Sequence, residues 1–191
     1  MTIEFNEELH EYRVDGRRVD SVTQILKAVY PNVYSGISPQ VLDRKARLGT
    51  AVHKVVEFEL QGRLDYATIH PEVRPYFESW LLWWNDLVAP TGFEIETRFY
   101  VPALDYTGTR DFNGTINGHQ WIIDWKCTAS EVGTHRLQLA GYSWPPLGEH
   151  RGSLYLQSNG SKAKLVEYED EQDFHDWLST VRVFNLAKGL K

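Results

Sequence analysis

The sequence predicts a mixed α/β fold, a central mixed β-sheet flanked by helices, and two observations carry that reading. Strand-type alternation is concentrated between residues 93 and 127 and returns near 152–157 and 163–168. Runs with helical spacing precede, separate and follow these strands. At 191 residues the chain reads as one domain, with an N-terminal hairpin-and-helix extension over 1–40 and a core over 41–191.

Taken in order, Ile3 to Phe5 and Glu11 to Val14 read as a small hairpin, with a turn signal at Asp15-Gly16. Ser21 is placed to cap a short helix carrying Ile25, Leu26 and Val29, which Pro31 ends. Ser38-Pro39 starts a second helix, with a capping residue followed by proline at the first position. Its apolar residues recur from Val41 to Leu60, and Gly49 is a point where it can break in two. Pro71 opens a third helix with an apolar stripe of Val73, Tyr76, Phe77, Trp80, Leu81, Trp84 and Leu87. Such a stripe reads as core. Three strands follow, over 93–101, 106–116 and 119–127, then a helix over 134–144 stopped by Pro145-Pro146. Two more strands and a terminal helix from about 171 to 188 complete the chain.

Composition excludes several classes. No run approaches the roughly 18 apolar residues that span a membrane, and Met1 to Phe5 shows no basic-then-apolar leader pattern, so the expectation is a cytoplasmic protein. The single cysteine, Cys127, excludes an internal disulfide, a four-cysteine zinc site and a cysteine-held iron–sulfur cluster. A net charge of −6 argues against nucleic-acid binding by bulk charge. A local basic track remains, because Arg44, Lys45, Arg47, His53 and Lys54 lie close together. A solvated helix face accounts for those charges equally well.

The most informative local feature is Asn117-Gly118 between two strand-like runs, a strong two-residue hairpin signal. With that turn Ile116 faces His119, and the register runs on to pair 112 with 123 and 111 with 124. Asp111 then stands opposite Asp124 with Cβ atoms about 4.5–5.5 Å apart. Period-2 alternation puts Asp111, Asn113, Asp124 and Lys126 on one face and Phe112, Ile116, Trp121, Ile123 and Trp125 on the other. Facing carboxylates destabilise a sheet unless a cation compensates. A hard divalent ion suits two carboxylates, and Lys126 is placed to handle a water or developing charge on a phosphate. A surface hairpin with Asp111 paired to Arg110 or Lys126 also satisfies this pattern.

Two helical pairs stand beside the hairpin. His53 and Glu57 are four residues apart, hence on one helix face, and Gly49 one turn earlier leaves room for another backbone. Gln138 and Tyr142 repeat the spacing downstream. Each pair alone also fits a structural role.

In chain order, Gly49…His53…Glu57, Tyr106-Thr107-Gly108-Thr109-Arg110-Asp111, Ile123-Asp124-Trp125-Lys126 and Gln138…Tyr142 together resemble the PD-(D/E)XK nuclease superfamily, in its RecB-like exonuclease branch. The opening Phe5…His10-Glu11-Tyr12…Asp15-Gly16…Ser21-Val22-Thr23 is similar to phage-type members. The resemblance implies a restriction-endonuclease-like core and a Mg²⁺- or Mn²⁺-dependent DNA nuclease. It makes His53, Asp111, Asp124 and the Trp125 carbonyl metal ligands. Lys126 would orient the attacking water, with Gln138 and Tyr142 supporting the site or touching the scissile strand. Glu57 and Glu96 are candidates for outer-shell contacts, and Arg44, Lys45, Arg47, Lys54 and Arg136 for DNA contacts. Arg110 stands where the superfamily's proline would be, and the cysteines of its iron–sulfur members are missing.

The implied activity is exonucleolytic, on DNA ends in recombination, repair or phage DNA processing. An endonuclease of restriction or flap type with the same site is the alternative, as is a DNA-binding module without turnover. The chain has no glycine-rich phosphate loop, so a helicase would be a separate polypeptide, as would a single-strand-annealing partner. An oligomer is compatible with the resemblance.

Overall fold

The computed structural model describes residues 1–190 except 34, 88 and 89. Its elements are β1 (Ile3–Asn6), β2 (Glu11–Val14), β3 (Arg17–Val19), α1 (Val22–Val29), α2 (Pro39–Leu60), α3 (Arg74–Asn85), β4 (Thr91–Val101), β5 (Tyr106–Ile116), β6 (His119–Lys126), α4 (Thr134–Tyr142), β7 (His150–Tyr155), β8 (Lys164–Glu167) and α5 (Gln172–Gly189). The fold is mixed, with a five-stranded sheet in the order β4-β5-β6-β7-β8 and a small three-stranded sheet β1-β2-β3. In the large sheet β6 and β7 run parallel and the other neighbours are antiparallel. Helix α4 lies in the connection between the two parallel strands.

Helices cover both faces of this sheet. Val52 and Val56 of α2 and Phe77 and Trp80 of α3 pack with Phe112, Ile123 and Trp125 on one side. Ile25 of α1, Leu139 of α4 and Trp177 of α5 pack with Tyr106 and Ile122 on the other. The face holding Asp124 is therefore covered as well, which corrects the one-sided burial read from the hairpin. Ile122, Ile123, Asp124 and Trp125 are all buried, as expected for an internal strand with a parallel neighbour. Gly141 lets α4 seat closely, because a Cβ there would stand 2.9 Å from the Trp177 ring and 3.1 Å from Val22.

Several boundaries differ from the sequence expectation. The turn at Asp15-Gly16 leads from β2 into a third strand, Arg17–Val19, that the sequence reading did not include. Helix α2 runs through Gly49 without a break, and that glycine meets nothing within 4 Å, so it admits no close backbone. The Ser38 side chain caps the start of α2, and the buried Val52 and Val56 hold its second half. Helix α3 begins at Arg74, not Pro71, since the His70 carbonyl closes a turn by accepting from both Val73 and Arg74. Trp83 joins its buried stripe, while Leu81, Trp84 and Leu87 pack at the margin.

The predicted cap at Ser21 is present and is a full capping box, with the Ser21 hydroxyl accepting from Gln24 N–H and the Gln24 side chain accepting from Ser21 N–H. The segment over 1–40 is not an appendage in packing. Val22, Ile25 and Leu26 are buried in the same cluster as Tyr106 and Trp177, and Thr107 N–H donates to the Asp20 carbonyl at 3.1 Å. No described helix is long and apolar enough to cross a membrane.

Candidate metal centre

The Asn117-Gly118 turn sets the predicted register. Both residues have positive φ, 52° and 81°, as a tight hairpin turn of this kind requires. The ladder pairs Ile116 with His119 and runs to Phe112 with Ile123. One step further, the Asp111 side chain joins the two strands, its Oδ2 accepting the Trp125 N–H at 2.7 Å. On the other flank of β5 the ladder steps from Ile95–Phe112 to Thr97–Arg110, with Glu96 and Asp111 between these pairs. Glu96 has φ +50°, a conformation that costs a non-glycine residue of order 1–3 kcal/mol and concentrates at functional sites. Asp111 thus sits where the sheet departs from regular pairing.

His53 arrives from α2. Its Nε2 is 3.1 Å from the Trp125 carbonyl and its Nδ1 is 3.4 Å from Asp111 Oδ1 and 3.9 Å from Glu96 Oε1. His53, Glu96 and Asp111 bring one potential ligand atom each within 4.8 Å of one another. Glu96, an outer-shell candidate from the sequence, belongs to the inner cluster. Simple alternation along β4 does not foretell this, because Phe93 and Ile95 pack on the α2–α3 side and Phe99 and Val101 on the α4–α5 side, the faces switching around Glu96 with its left-handed φ. Glu57 instead accepts from Lys54 Nζ at 2.8 Å and from Gln61 Nε2 at 3.0 Å.

Asp124 is not in that 4.8 Å group, because α4 and Lys126 engage its carboxylate. Lys126 Nζ stands 2.5 Å from Asp124 Oδ2 in an ion-pair contact. It also donates to Gln138 Oε1 at 2.7 Å. Gln138 Nε2 in turn donates to Asp124 Oδ1 at 2.9 Å and to the Tyr142 hydroxyl oxygen at 2.8 Å. The four-residue spacing of Gln138 and Tyr142 therefore serves to hold Asp124 and Lys126. Tyr142 is buried, which favours the supporting role over contact with a substrate strand. Arg110, which the surface-hairpin alternative paired with Asp111, donates instead to the Tyr142 carbonyl at 2.7 Å.

The electrostatics follow from gathering carboxylates in a partly desolvated space. Burial opposes charge on His53, but Asp111, Asp124 and Glu96 outweigh it and raise the imidazole to about 9. Burial, then repulsion from Asp111, lifts Glu96 to about 7 against the pull of His53. Burial lifts Asp124 to about 6, opposed by Lys126 and reinforced by Asp111. Without a further cation the cluster therefore holds protons that isolated carboxylates would lose.

The basic candidates are mostly engaged within the protein. Arg44 pairs with Glu72, Arg47 with Asp43 and Lys54 with Glu57, all at exposed positions. Lys45 lies near enough to Cys127 to stabilise its thiolate, although burial pushes that thiol up to about 12. Arg136 turns to α5, 2.6 Å from Asp173 and 2.8 Å from Asp176. These contacts fasten α4 to α5.

No family model matches this chain, and no curated protein matches it. Among solved structures it is similar to one described as "Crystal structure of SSO0001", at 14% identity and a TM-score of 0.41, covering 85% of this chain and 84% of that chain. A likeness of that degree carries no argument about function.

Proposed function

We propose that this protein is a divalent-metal-dependent DNA nuclease of the PD-(D/E)XK superfamily, most similar in motif order to its RecB-like exonuclease branch. The observation that carries the reading is the meeting of His53, Glu96 and Asp111 beside the Asp124–Lys126–Gln138 network. The donor set fits Mg²⁺ or Mn²⁺, with carboxylate oxygens, a carbonyl and one imidazole and no described thiolate among them. Burial together with repulsion from Asp111 raises Glu96 to about 7, and a divalent cation relieves both by pairing with the ionised carboxylates.

His53, Asp111, Asp124 and the Trp125 carbonyl would hold the ion, with Glu96 as a further carboxylate. When bound, the ion supplies Lewis-acid stabilisation of charge on the phosphate and a more acidic water. The chain's own residues do the positioning. Trp125 N–H fixes Asp111, and Gln138 fixes both Asp124 and the Lys126 ammonium. Lys126, partly accessible at 15%, orients the attacking water and offsets charge on the phosphate. Tyr142 orients Gln138 from behind.

The substrate arm of the test uses linear and covalently closed circular DNA with Mg²⁺ or Mn²⁺. An exonuclease degrades the linear form and leaves the circle intact, whereas nicking of the circle assigns endonuclease action. Cleavage of neither form under either metal would overturn the nuclease reading.

A further inference from the structure

The small N-terminal sheet leaves an aromatic and basic surface directly beside the cation cluster. Tyr12 of β2 anchors it, sharing a 2.8 Å hydrogen bond with the Thr109 hydroxyl, two residues from Asp111. Phe5 of β1 packs on Tyr12 with ring centroids 4.4 Å apart, and His10 meets Phe5 edge-on at 5.2 Å. Arg98, two residues past Glu96 on β4, holds its guanidinium 5.9 Å from the Phe5 ring centre. From the β1–β2 turn, Glu7 acts electrostatically on Lys54 of α2, one residue past His53.

This turn is pre-organised. Asn6 Oδ1 accepts the Leu9 N–H at 2.9 Å, and Gln24 Nε2 donates to the His10 carbonyl at 3.0 Å. His10 has a left-handed φ of +49°, a conformation histidine adopts more readily than most residues. His10 and Arg98 are exposed and Phe5 is half-buried, while Tyr12 beneath them is buried. Fold stability does not require an exposed histidine edge-on to a half-buried phenylalanine, with a cation beside the ring. Aromatic faces beside cations are what single-stranded nucleic acids use, since bases stack on the rings and phosphates meet the charges.

We propose that Phe5 and His10, flanked by Arg98, form a stacking subsite for an unpaired base of the substrate strand. This rests on the nuclease reading of the adjacent cluster, which would receive a phosphate of the same strand. Arg98 leaves its weak contact with Phe5 to meet a phosphate oxygen, and the base takes its place against the ring. The subsite would therefore favour ends that are single-stranded or frayed over fully paired ones.

The test is binding of fluorescein-labelled single-stranded oligonucleotides, followed by anisotropy with Ca²⁺ present. Each strand is compared with its copy carrying abasic residues near the end. Wild-type protein is expected to bind the intact strand roughly 5- to 100-fold more tightly than the abasic one. Phe5→Leu, which keeps an apolar side chain in β1, and His10→Ala should each remove most of that difference, and Phe5→Tyr should retain it. The comparison is internal to each variant, so a general loss of folded protein does not mimic it. Equal sensitivity to abasic residues in wild type, Phe5→Leu and His10→Ala would overturn the subsite while leaving the nuclease reading intact. Base-dependent binding that requires Phe5 and His10, in a protein that cleaves nothing with Mg²⁺ or Mn²⁺, would keep the subsite and overturn the nuclease reading.

Discussion

Asp111 Oδ2 accepts the backbone N–H of Trp125 at 2.7 Å, so one carboxylate both ties β5 to β6 and belongs to the cluster with His53 and Glu96. Its two duties separate by mutation. Asp111→Asn retains an oxygen that can accept from Trp125, whereas Asp111→Ala leaves a buried N–H without its partner. Both substitutions remove the same charge. In chelator, Asp111→Ala should be less stable than Asp111→Asn by about 1–3 kcal/mol in urea denaturation. Both should lose metal-dependent stabilisation and cleavage.

Gln138 bridges Lys126 and Asp124 through its two amide atoms, and its removal should loosen both without removing either charge. Gln138→Ala is expected to lower cleavage about 10- to 100-fold, the usual effect of deleting a partner that orients ligands. Steady-state kinetics at saturating and limiting Mg²⁺ measure this. Activity equal to wild type would show that α4 contributes packing alone.

In the Lys126–Asp124 pair the carboxylate is buried and the ammonium largely shielded, with side-chain exposures of 4% and 15%, so its members should couple strongly. Lys126→Ala leaves a buried carboxylate unpaired and should cost roughly 3–5 kcal/mol in the metal-free protein near neutral pH. The double substitution Lys126→Ala with Asp124→Asn should recover part of that loss. A double-mutant cycle by thermal or urea denaturation reads the coupling directly, and simple additivity would contradict the pairing.

Within the cluster of the metal-free protein, His53, Glu96 and Asp124 all shift in the same direction. His53 is raised from 6.5 to about 9, so its stabilising charge is fully present below 6.5 and is lost as pH rises through 9. Glu96 is raised from 4.5 to about 7 and Asp124 from 3.8 to about 6. Their protonated forms are favoured in the fold, so stability falls as each ionises between about pH 4 and 7. Metal binding requires the deprotonated ligands. The gain in melting temperature on adding Mg²⁺ should therefore grow from about pH 5.5 to 9, and a gain that is flat or shrinking with pH would contradict it. In Glu96→Gln the metal-free protein should be more stable than wild type above pH 7, and its gain from Mg²⁺ smaller.

The hairpin was the most legible part of the site. Asn117-Gly118 sets the register because its turn chemistry and the strand alternation agree, and together they bring Asp111 to the Trp125 backbone. The central strands, the Ser21 and Ser38 caps and the shared helix face of Gln138 and Tyr142 were legible for the same reason, since local spacing decides them. Other features depend on tertiary context. The burial of the Asp124 face depends on where α1, α4 and α5 pack. The continuity of α2 through Gly49 depends on its seat against the sheet, since glycine alone disfavours the helix by about 1 kcal/mol. Glu96 enters the cluster through a left-handed φ that no neighbouring residue announces. Arg136 looked free in sequence because Asp173 and Asp176 lie far along the chain.

The central claim is that the cluster around Asp111 and Asp124-Trp125-Lys126 is a hydrolytic metal centre, and the most direct measurement is Mg²⁺- or Mn²⁺-dependent cleavage of end-labelled linear DNA. Wild-type protein should cleave with either metal and stop on chelation, while folded Asp124→Ala and Lys126→Ala proteins should show no cleavage above background. Full activity in both variants, or cleavage indifferent to chelator, would contradict the account.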